Sequence, residues 1–447
     1  MPNLAKIILS ASCLIPTQSL LAAPRTISTD KALTSTSKLS NGIPLISRET
    51  PGSEIAHFEV NFSDGTSQAA PNTRAINLMA LEAMPFATKK FPKNEIFALS
   101  EKFSFAIACK GGVEISHCQV ETIKDYLPQA VDLLAEVILN PSFENDDVEL
   151  ARKHRIADFQ RDTESPEARV NAVVNKVFYD PTHPFRLLPE DGIEQAKKIT
   201  RAEIIEYHKT LVDAGRMSVI YAGPKLPAPI LKKLNDTLGK IKNQKRVKSL
   251  VPMPIYDTNN DFAIEHRDIP TAYIRLKFNA PAASSPDSEA AEVLFEILSE
   301  KLHEEVRTKR SLSYAVHAGN IAYSQGIGMI GASTSKPKET LETIAMVIRD
   351  LREKTISQEE LSEYRNTFTT SYYLTMETHD SLAAALGGAH EYYGDAFRMY
   401  EVPAKLSAVT PEDIKRVAQS VLTKFRFGVV YDKEKFKTSW LDPVRSL

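Results

Sequence analysis

The residues of this chain that could bind a metal or transfer a proton are poorly placed to act together. The segment NLMALEAMPF, residues 77–86, carries a single carboxylate, Glu82, in an otherwise apolar run. Two histidines that share a metal on one helix must lie about one turn apart. No two of the ten histidines have that spacing. We therefore expect each of them to be a packing or surface residue: His57, His117, His154, His183, His208, His266, His303, His317, His379 and His390.

A second candidate pair, Arg307 and Tyr314, lies in EEVRTKRSLSYAV, residues 304–316. A guanidinium and a phenol can donate hydrogen bonds to a carbonyl oxygen as it gains negative charge, and neither group needs a metal to do so. The alternative is structural: Arg307 ends a helix and pairs with Glu304 or Glu305, while Tyr314 packs on a strand. Both interpretations stay open from the residues alone.

Length and charge limit the class of protein. With 447 residues, of which 43% are hydrophobic and 25% charged, the chain can bury more than one core and should form at least two domains. Its 55 basic and 57 acidic residues give a net charge of -2, so no overall field attracts nucleic acid or an anionic membrane. We predict no nucleic-acid partner.

The first residues, MPNLAKIILSASCLIPTQSLLAAPRT, combine one lysine, an apolar stretch and small residues before Pro24. This is the layout of a secretory signal peptide, which we place at residues 1–23. The apolar stretch is too short to cross a bilayer, which disfavours a membrane anchor. We predict a secreted protein without a membrane span in its mature chain, located most simply in a bacterial periplasm.

Of the three cysteines, Cys13 falls in the predicted leader, leaving Cys109 and Cys118. The pattern FAIACKGGVEISHCQV, residues 105–120, indicates two strands joined by a tight turn at Lys110 to Gly112. Such a turn pairs Cys109 with a residue near Val113 and leaves Cys118 beyond disulfide reach. The sequence therefore favours two unbridged cysteines and no cysteine chemistry.

An internal repeat organises the chain. The segment that begins at Phe185, FRLLPEDGIEQAKKITRAEIIEYHKTLVDAGRMSVIYAG, resembles FRMYEVPAKLSAVTPEDIKRVAQSVLTKFRFGVVYDK, which begins at Phe397. The offset is about 210 residues, which aligns Thr200 with Thr410 and persists upstream of both segments. Two copies of one domain are the economical explanation.

Each copy shows the same order of elements. Strands open it, amphipathic helices follow, and a helix with a Thr-x-x-acidic start precedes the last β-branched strand. We predict an α+β fold of two homologous domains, each a mainly antiparallel sheet packed with helices. The expected boundaries are residues 24–240 for the first domain, 241–258 for a charged and Pro-bearing linker, and 259–447 for the second domain.

These segments occur in the order found in one known family. LSNGIPLISRE, SDGTSQ, NLMALEAMPF, LLAEVILNPSF, ITRAEIIEYHKTL and EEVRTKRSLSYAV together resemble the pitrilysin and mitochondrial-processing-peptidase family, whose active members are inverzincins. The resemblance covers nearly the whole mature chain. It implies that the two domains form half of a clamshell.

The resemblance also implies that the zinc site is degenerate. Active members carry H-x-x-E-H on an early helix, where two histidines hold zinc and the glutamate activates water. Aligning that glutamate with Glu82 places Met79 and Ala83 at the histidine positions. A distal glutamate, the third ligand, falls near Phe159. We expect no metal in this chain and no water for Glu82 to activate.

Arg307 and Tyr314 match an Arg and Tyr pair that, in the family, lies across the clamshell from the zinc and assists the substrate. One departure is that Ser311 replaces the usual glycine before Leu312. A chain with this pair but without zinc ligands resembles the non-catalytic subunit of a two-subunit bacterial member.

The resemblance thus implies no activity for the chain alone, a zinc-bearing partner subunit in a heterodimer, and a peptide substrate. The alternative is a purely structural or peptide-binding protein, similar to the core subunits of respiratory complexes. A self-sufficient metalloprotease is disfavoured because the ligands are missing.

Overall fold

A computed structural model describes residues 27–253, 260–374 and 376–447. The predicted leader, residues 1–23, and the predicted linker beyond residue 253 lie outside the described residues. The strands are β1 (Thr34–Lys38), β2 (Pro44–Glu49), β3 (Ile55–Phe62), β4 (Ala108–Lys110), β5 (Ser116–Ile123), β6 (Met217–Gly223), β7 (Phe262–His266), β8 (Ala272–Ala280), β9 (Ser313–Ala322), β10 (Gly326–Thr334) and β11 (Arg426–Tyr431).

Helices fill most of the sequence between the strands. They are α1 (Ile27–Ala32), α2 (Ala75–Ala83), α3 (Lys93–Phe103), α4 (Leu127–Leu139), α5 (Asn145–Glu164), α6 (Pro166–Phe178), α7 (Pro189–Lys198), α8 (Arg201–Leu211), α9 (Ala228–Asp236), α10 (Ser288–Leu302), α11 (Pro337–Glu353), α12 (Gln358–Leu374), α13 (His379–Tyr393), α14 (Val402–Ala408), α15 (Pro411–Val421) and α16 (Asp442–Arg445). Within the described ranges, no helix is long and apolar enough to cross a membrane.

Two sheets form the framework, and their strands follow the same pattern apart from the additional edge strand β1 of the first. The first has the order β1-β2-β6-β3-β5-β4, and the second has the order β7-β11-β8-β10-β9. In each sheet the last strand in sequence lies parallel to one neighbour and antiparallel to the other: β6 to β2 and β3, and β11 to β7 and β8. The remaining pairs are antiparallel. The prediction of two homologous α+β domains with mainly antiparallel sheets is confirmed.

The repeat is also visible in the start of equivalent helices. Thr200 caps α8 and forms a reciprocal capping box with Glu203. Thr410 caps α15 in the same way with Asp413. Each box satisfies two backbone N–H groups that the first helical turn leaves without partners. The predicted helix starts are therefore correct in both copies.

The two halves exchange one helix each. Helix α6, from the first half, packs on β7, β8 and β11 of the second sheet, whereas α13, from the second half, packs on β3 and β6 of the first sheet. Glycines permit the close approach: a Cβ on Gly428 would lie 2.6 Å from the backbone nitrogen of Val174. A Cβ on Gly387 would lie 2.4 Å from the side-chain nitrogen of Asn61. This exchange joins the halves into one packed unit.

The prediction of two unbridged cysteines is wrong, because Cys109 and Cys118 form a disulfide. The error lies in the assumed turn. The strands β4 and β5 are joined by residues 111–115 rather than by a tight turn at Lys110 to Gly112, so Cys109 lies directly opposite Cys118 in the strand register. Facing residues of an antiparallel pair are close enough to be bridged.

One carboxylate is buried beneath the exchanged helix α13. Glu59, on β3, is 4% exposed, and a Cβ on Gly387 of α13 would lie 3.4 Å from its Oε1 atom. Burial raises the pKa of Glu59 to about 7, reinforced by the charge of Asp380 and opposed by a hydrogen bond with Asn61. The neutral form of Glu59 therefore suits the native state.

Glu59 should consequently make stability pH-dependent. A carboxyl pKa raised from 4.5 to about 7 favours the folded state at low pH, and this contribution is lost as the pH rises through about 7. The full effect is at most about 3 kcal/mol. The unfolding free energy of the wild-type chain should fall between pH 4.5 and about 7. We expect a smaller fall over this range in Glu59→Gln, with urea denaturation as the measurement.

The exposed Glu101→Gln is the control and should leave the slope unchanged. Equal slopes for the wild-type chain and Glu59→Gln would contradict the assignment.

Candidate functional site

Helix α2 presents its two predicted histidine positions to the core. Met79 is 0% and Ala83 1% exposed, and both belong to the hydrophobic cluster of the first half. Ala83 has no donor atom, and the thioether of Met79 is a soft ligand that suits zinc poorly beside oxygen donors. Both positions stabilise the fold by apolar burial instead.

Glu82 lies on the same helix but is held by two basic side chains of α5. Its Oε1 atom is 2.7 Å from His154 Nδ1, and its Oε2 atom is 2.5 Å from Arg155 Nε. A general base needs a free carboxylate oxygen directed at a water, and both oxygens of Glu82 are engaged by these basic side chains. Glu82 therefore joins α2 to α5.

Phe159, at the predicted position of the third ligand, packs between helices. Its ring contacts α7 at Gly192, where a Cβ would lie 2.5 Å from the ring. The neighbouring Asp158 is directed to arginines of its own helix, 2.5 Å from Arg155 and 3.1 Å from Arg161. The residues present do not fit zinc, and the described part of the chain contains no group of three or more His, Cys, Asp or Glu that could hold a metal ion.

Arg307 and Tyr314 come together on the second half. Arg307 lies in a π-helical turn, His303–Thr308, that follows α10, and Tyr314 lies at the start of the edge strand β9. The guanidinium carbon of Arg307 is 4.5 Å from the centroid of the Tyr314 ring, a cation–π distance. Arg307 Nη1 is also 3.2 Å from His303 Nε2.

The structural alternative is right that Arg307 lies in the last turn of a helix but wrong about the contacts of the pair. Tyr314 is 82% exposed rather than packed on its strand. Glu304 and Glu305 pair with Lys309, and Glu305 also pairs with Arg310. The guanidinium and the phenol hydroxyl therefore form an exposed donor pair that can contact a molecule outside this chain.

Ser311 explains how the chain turns between the two residues. It has a φ of 51°, in the left-handed region where glycine is favoured and other residues are uncommon. Members of the family that the chain resembles usually have glycine at this position. The turn is thus retained although the residue has changed.

Sequence reasoning missed the partners of Glu82. Arg155 lies four residues before Phe159 on one helix, so both side chains emerge from the same face of α5 and point to α2 and its surroundings. That spacing was the available signal. It could have identified Arg155 once Phe159 had been assigned to the ligand position.

The fold and the site define a two-domain peptidase-like chain whose zinc positions hold no ligands. Its residues 47–222 match the model of the insulinase family, peptidase family M16, and residues 198–368 match the peptidase M16 inactive domain. The chain belongs to peptidase family M16.

Curated relatives are distant but extend over much of the chain. The mitochondrial-processing peptidase subunit beta of Blastocladiella emersonii is 24% identical over 416 residues, which cover 87% of this chain and 86% of that protein. An uncharacterized zinc protease of Mycobacterium tuberculosis is 22% identical over 312 residues, 68% of this chain and 70% of the relative.

Solved structures share the fold. A peptidase M16 inactive domain from Pseudomonas fluorescens superimposes with a TM-score of 0.80 at 19% identity, covering 90% of this chain and 98% of that one. The periplasmic protease PqqL from Escherichia coli gives 0.77 at 15% identity, covering 97% of this chain and 49% of that one. A chain of complex III2 from Candida albicans gives 0.79 at 14% identity, covering 92% and 99%.

The degenerate positions lead to a direct prediction about zinc. We expect the purified chain, dialysed against micromolar zinc, to retain no stoichiometric metal, because Met79, Ala83 and Phe159 supply no ligand set. Elemental analysis measures this. His154→Ala removes the histidine beside Glu82 and should give the same result. One zinc ion per chain that survives dialysis would contradict the prediction.

Proposed function

We propose that this chain is the non-catalytic subunit of a heterodimeric zinc peptidase. It supplies half of a peptide chamber, and Arg307 and Tyr314 act on a substrate bound at the zinc site of a partner subunit. The observation that carries the proposal is the contrast between the two sites. The ligand positions are occupied by Met79, Ala83 and Phe159, whereas Arg307 and Tyr314 stand exposed beside each other.

The chemistry proposed for the pair is hydrogen-bond donation. Zinc, in the partner, would polarise the scissile carbonyl and lower the pKa of its water. Arg307 and Tyr314 donate to the carbonyl oxygen as it gains negative charge, with the cation–π contact holding the guanidinium over the ring. Neither group changes its own protonation state in this role.

The size of the chain supports a partner of similar size. The structural match to PqqL covers 97% of this chain but only 49% of PqqL. One PqqL chain is therefore about twice as long as the matched unit. A second subunit would supply the other half. The relative from Blastocladiella is likewise described as a subunit.

We place the heterodimer in the periplasm. The leader predicted at residues 1–23 supports this location, and so does the disulfide between Cys109 and Cys118, since disulfides persist in oxidising compartments. PqqL is itself described as periplasmic.

The second candidate function is a structural or peptide-binding role without catalysis. The fold similarity to a chain of complex III2 favours it. The two candidates predict different roles for Tyr314. Only the catalytic candidate requires its exposed hydroxyl beside the Arg307 guanidinium.

Tyr314→Phe tests the proposal, because it removes the hydroxyl and keeps the ring under Arg307. We expect the mutant chain to assemble with a zinc-bearing M16 subunit, while kcat of the complex falls on the order of 100-fold with little change in KM. Steady-state kinetics on a fluorogenic peptide measure both constants.

Tyr126→Phe, on the first half, removes an equivalent hydroxyl away from the pair and should leave kcat unchanged. A Tyr314→Phe complex that assembles and cleaves at the wild-type rate would show that the hydroxyl has no catalytic role and would favour the structural candidate.

A further inference from the structure

Equivalent hairpins of the two halves meet at their tips. The β4–β5 connection of the first half, residues 111–115, carries Glu114, and the β9–β10 connection of the second half carries Ser324. Glu114 Oε2 accepts a hydrogen bond of 2.9 Å from the backbone nitrogen of Ser324. The two residues are separated by 210 positions, the offset of the internal repeat. The contact therefore joins the same place in both copies.

Glu114 is a buried carboxylate with neutral partners. It is 1% exposed and also accepts a hydrogen bond from the Ser324 hydroxyl. The Tyr392 hydroxyl of α13 is a further neighbour: burial raises the pKa of Tyr392, and the charge of Glu114 adds to that rise. A buried carboxylate without its hydrogen bonds is costly, so this contact depends on accurate placement of the loop. We call Glu114, Ser324 and Tyr392 the interdomain latch.

The loop that carries Glu114 is held tightly on its own half. The backbone nitrogens of Thr66 and Ser67 donate to the carbonyls of Gly112 and Val113 at 2.8 and 2.9 Å. A Cβ on Gly111 would lie 2.3 Å from Oδ1 of Asn77 on α2. Only three residues of β4 pair with β5, so few strand hydrogen bonds hold the edge strand that leads into the loop.

The disulfide holds the short edge strand β4 against β5. Cys109 is the middle residue of β4 and faces Cys118 of β5. A covalent bond between the strands holds the edge strand in register whether or not its few hydrogen bonds are formed. The placement of Glu114 on the second half is thereby tied to the oxidation state of two cysteines on the first half.

We propose that the Cys109–Cys118 disulfide is a redox lock on the interdomain latch. A thiolate of a dithiol reductant attacks Sγ of Cys109, which is partly exposed, whereas Cys118 is buried. The S–S bond breaks, and Cys118 Sγ leaves with the electron pair and takes up a proton. The second thiol of the reductant then displaces Cys109, so that the protein disulfide gains two electrons and two protons while the dithiol becomes a disulfide.

Reduction frees the edge strand β4, so that the loop keeps only its contacts with Thr66, Ser67 and Asn77. Glu114 then exchanges its buried partners for water. The contact between the hairpin tips is then lost, while the exchanged helices α6 and α13 still hold the halves together. The oxidised form is latched and the reduced form is unlatched. This inference does not depend on the proposed peptidase function.

Hydrogen exchange of the full chain, with and without dithiothreitol, tests the lock, because the amide of Ser324 is itself a latch donor. We expect reduction to speed exchange at residues 111–115 and 323–325 by about tenfold or more. The β1–β2 hairpin, which is remote from the disulfide, should be unchanged. In Glu114→Ala, residues 323–325 should exchange fast even when oxidised, with no further change on reduction.

Glu121→Ala, on the exposed side of β5, is the matched control and should keep the full redox response. The lock is refuted if alkylation shows both thiols free while exchange at 323–325 is unaltered. It is also refuted if exchange rises equally in the β1–β2 hairpin, because the disulfide would then be a global stabiliser only. Reduction of the wild-type chain needs no substitution, so the test holds even where Glu114→Ala fails to fold.

Discussion

Two helices exchanged between the halves hold the two sheets together. Each sheet is covered on one face by a helix that belongs to the other half of the chain, so neither half can bury that face of its sheet without the other. The apolar contacts are extensive: Ile46 and Ile220 of the first sheet pack with Leu382 and Leu386 of α13. A short linker alone could not fix the two halves with this accuracy.

Titratable groups lie buried beneath both exchanged helices. Glu59 lies beneath α13, and Lys277, on the equivalent strand β8, lies beneath α6 with its Nζ atom 2.7 Å from Asn175 Oδ1. Burial raises the pKa of Glu59 to about 7 and lowers that of Lys277 to about 7. Burial thus shifts both groups toward their neutral forms, whereas the buried Arg275 of β8 is paired with Glu167 of α6.

The candidate site could be predicted in part from the sequence, since the loss of ligands at Met79, Ala83 and Phe159 is visible in residue types alone. The repeat and its capping boxes were also readable, because they depend on local hydrogen bonds three residues apart. The disulfide was missed because strand register depends on loop length. The glycine pair at residues 111–112 suggested a tight turn, whereas the connection spans residues 111–115. The helix exchange and the contact between Glu114 and Ser324 were missed because they join residues far apart in sequence, for which no local pattern exists.

We propose that this chain is one half of a two-subunit peptidase. The most direct measurement is the mass of the complex formed when the mature chain is mixed at micromolar concentration with an M16 subunit of the same organism that carries an intact H-x-x-E-H motif. Size-exclusion chromatography with light scattering should give one species with the summed mass of one copy of each. Separate elution of the two chains at their own masses would rule out the heterodimer.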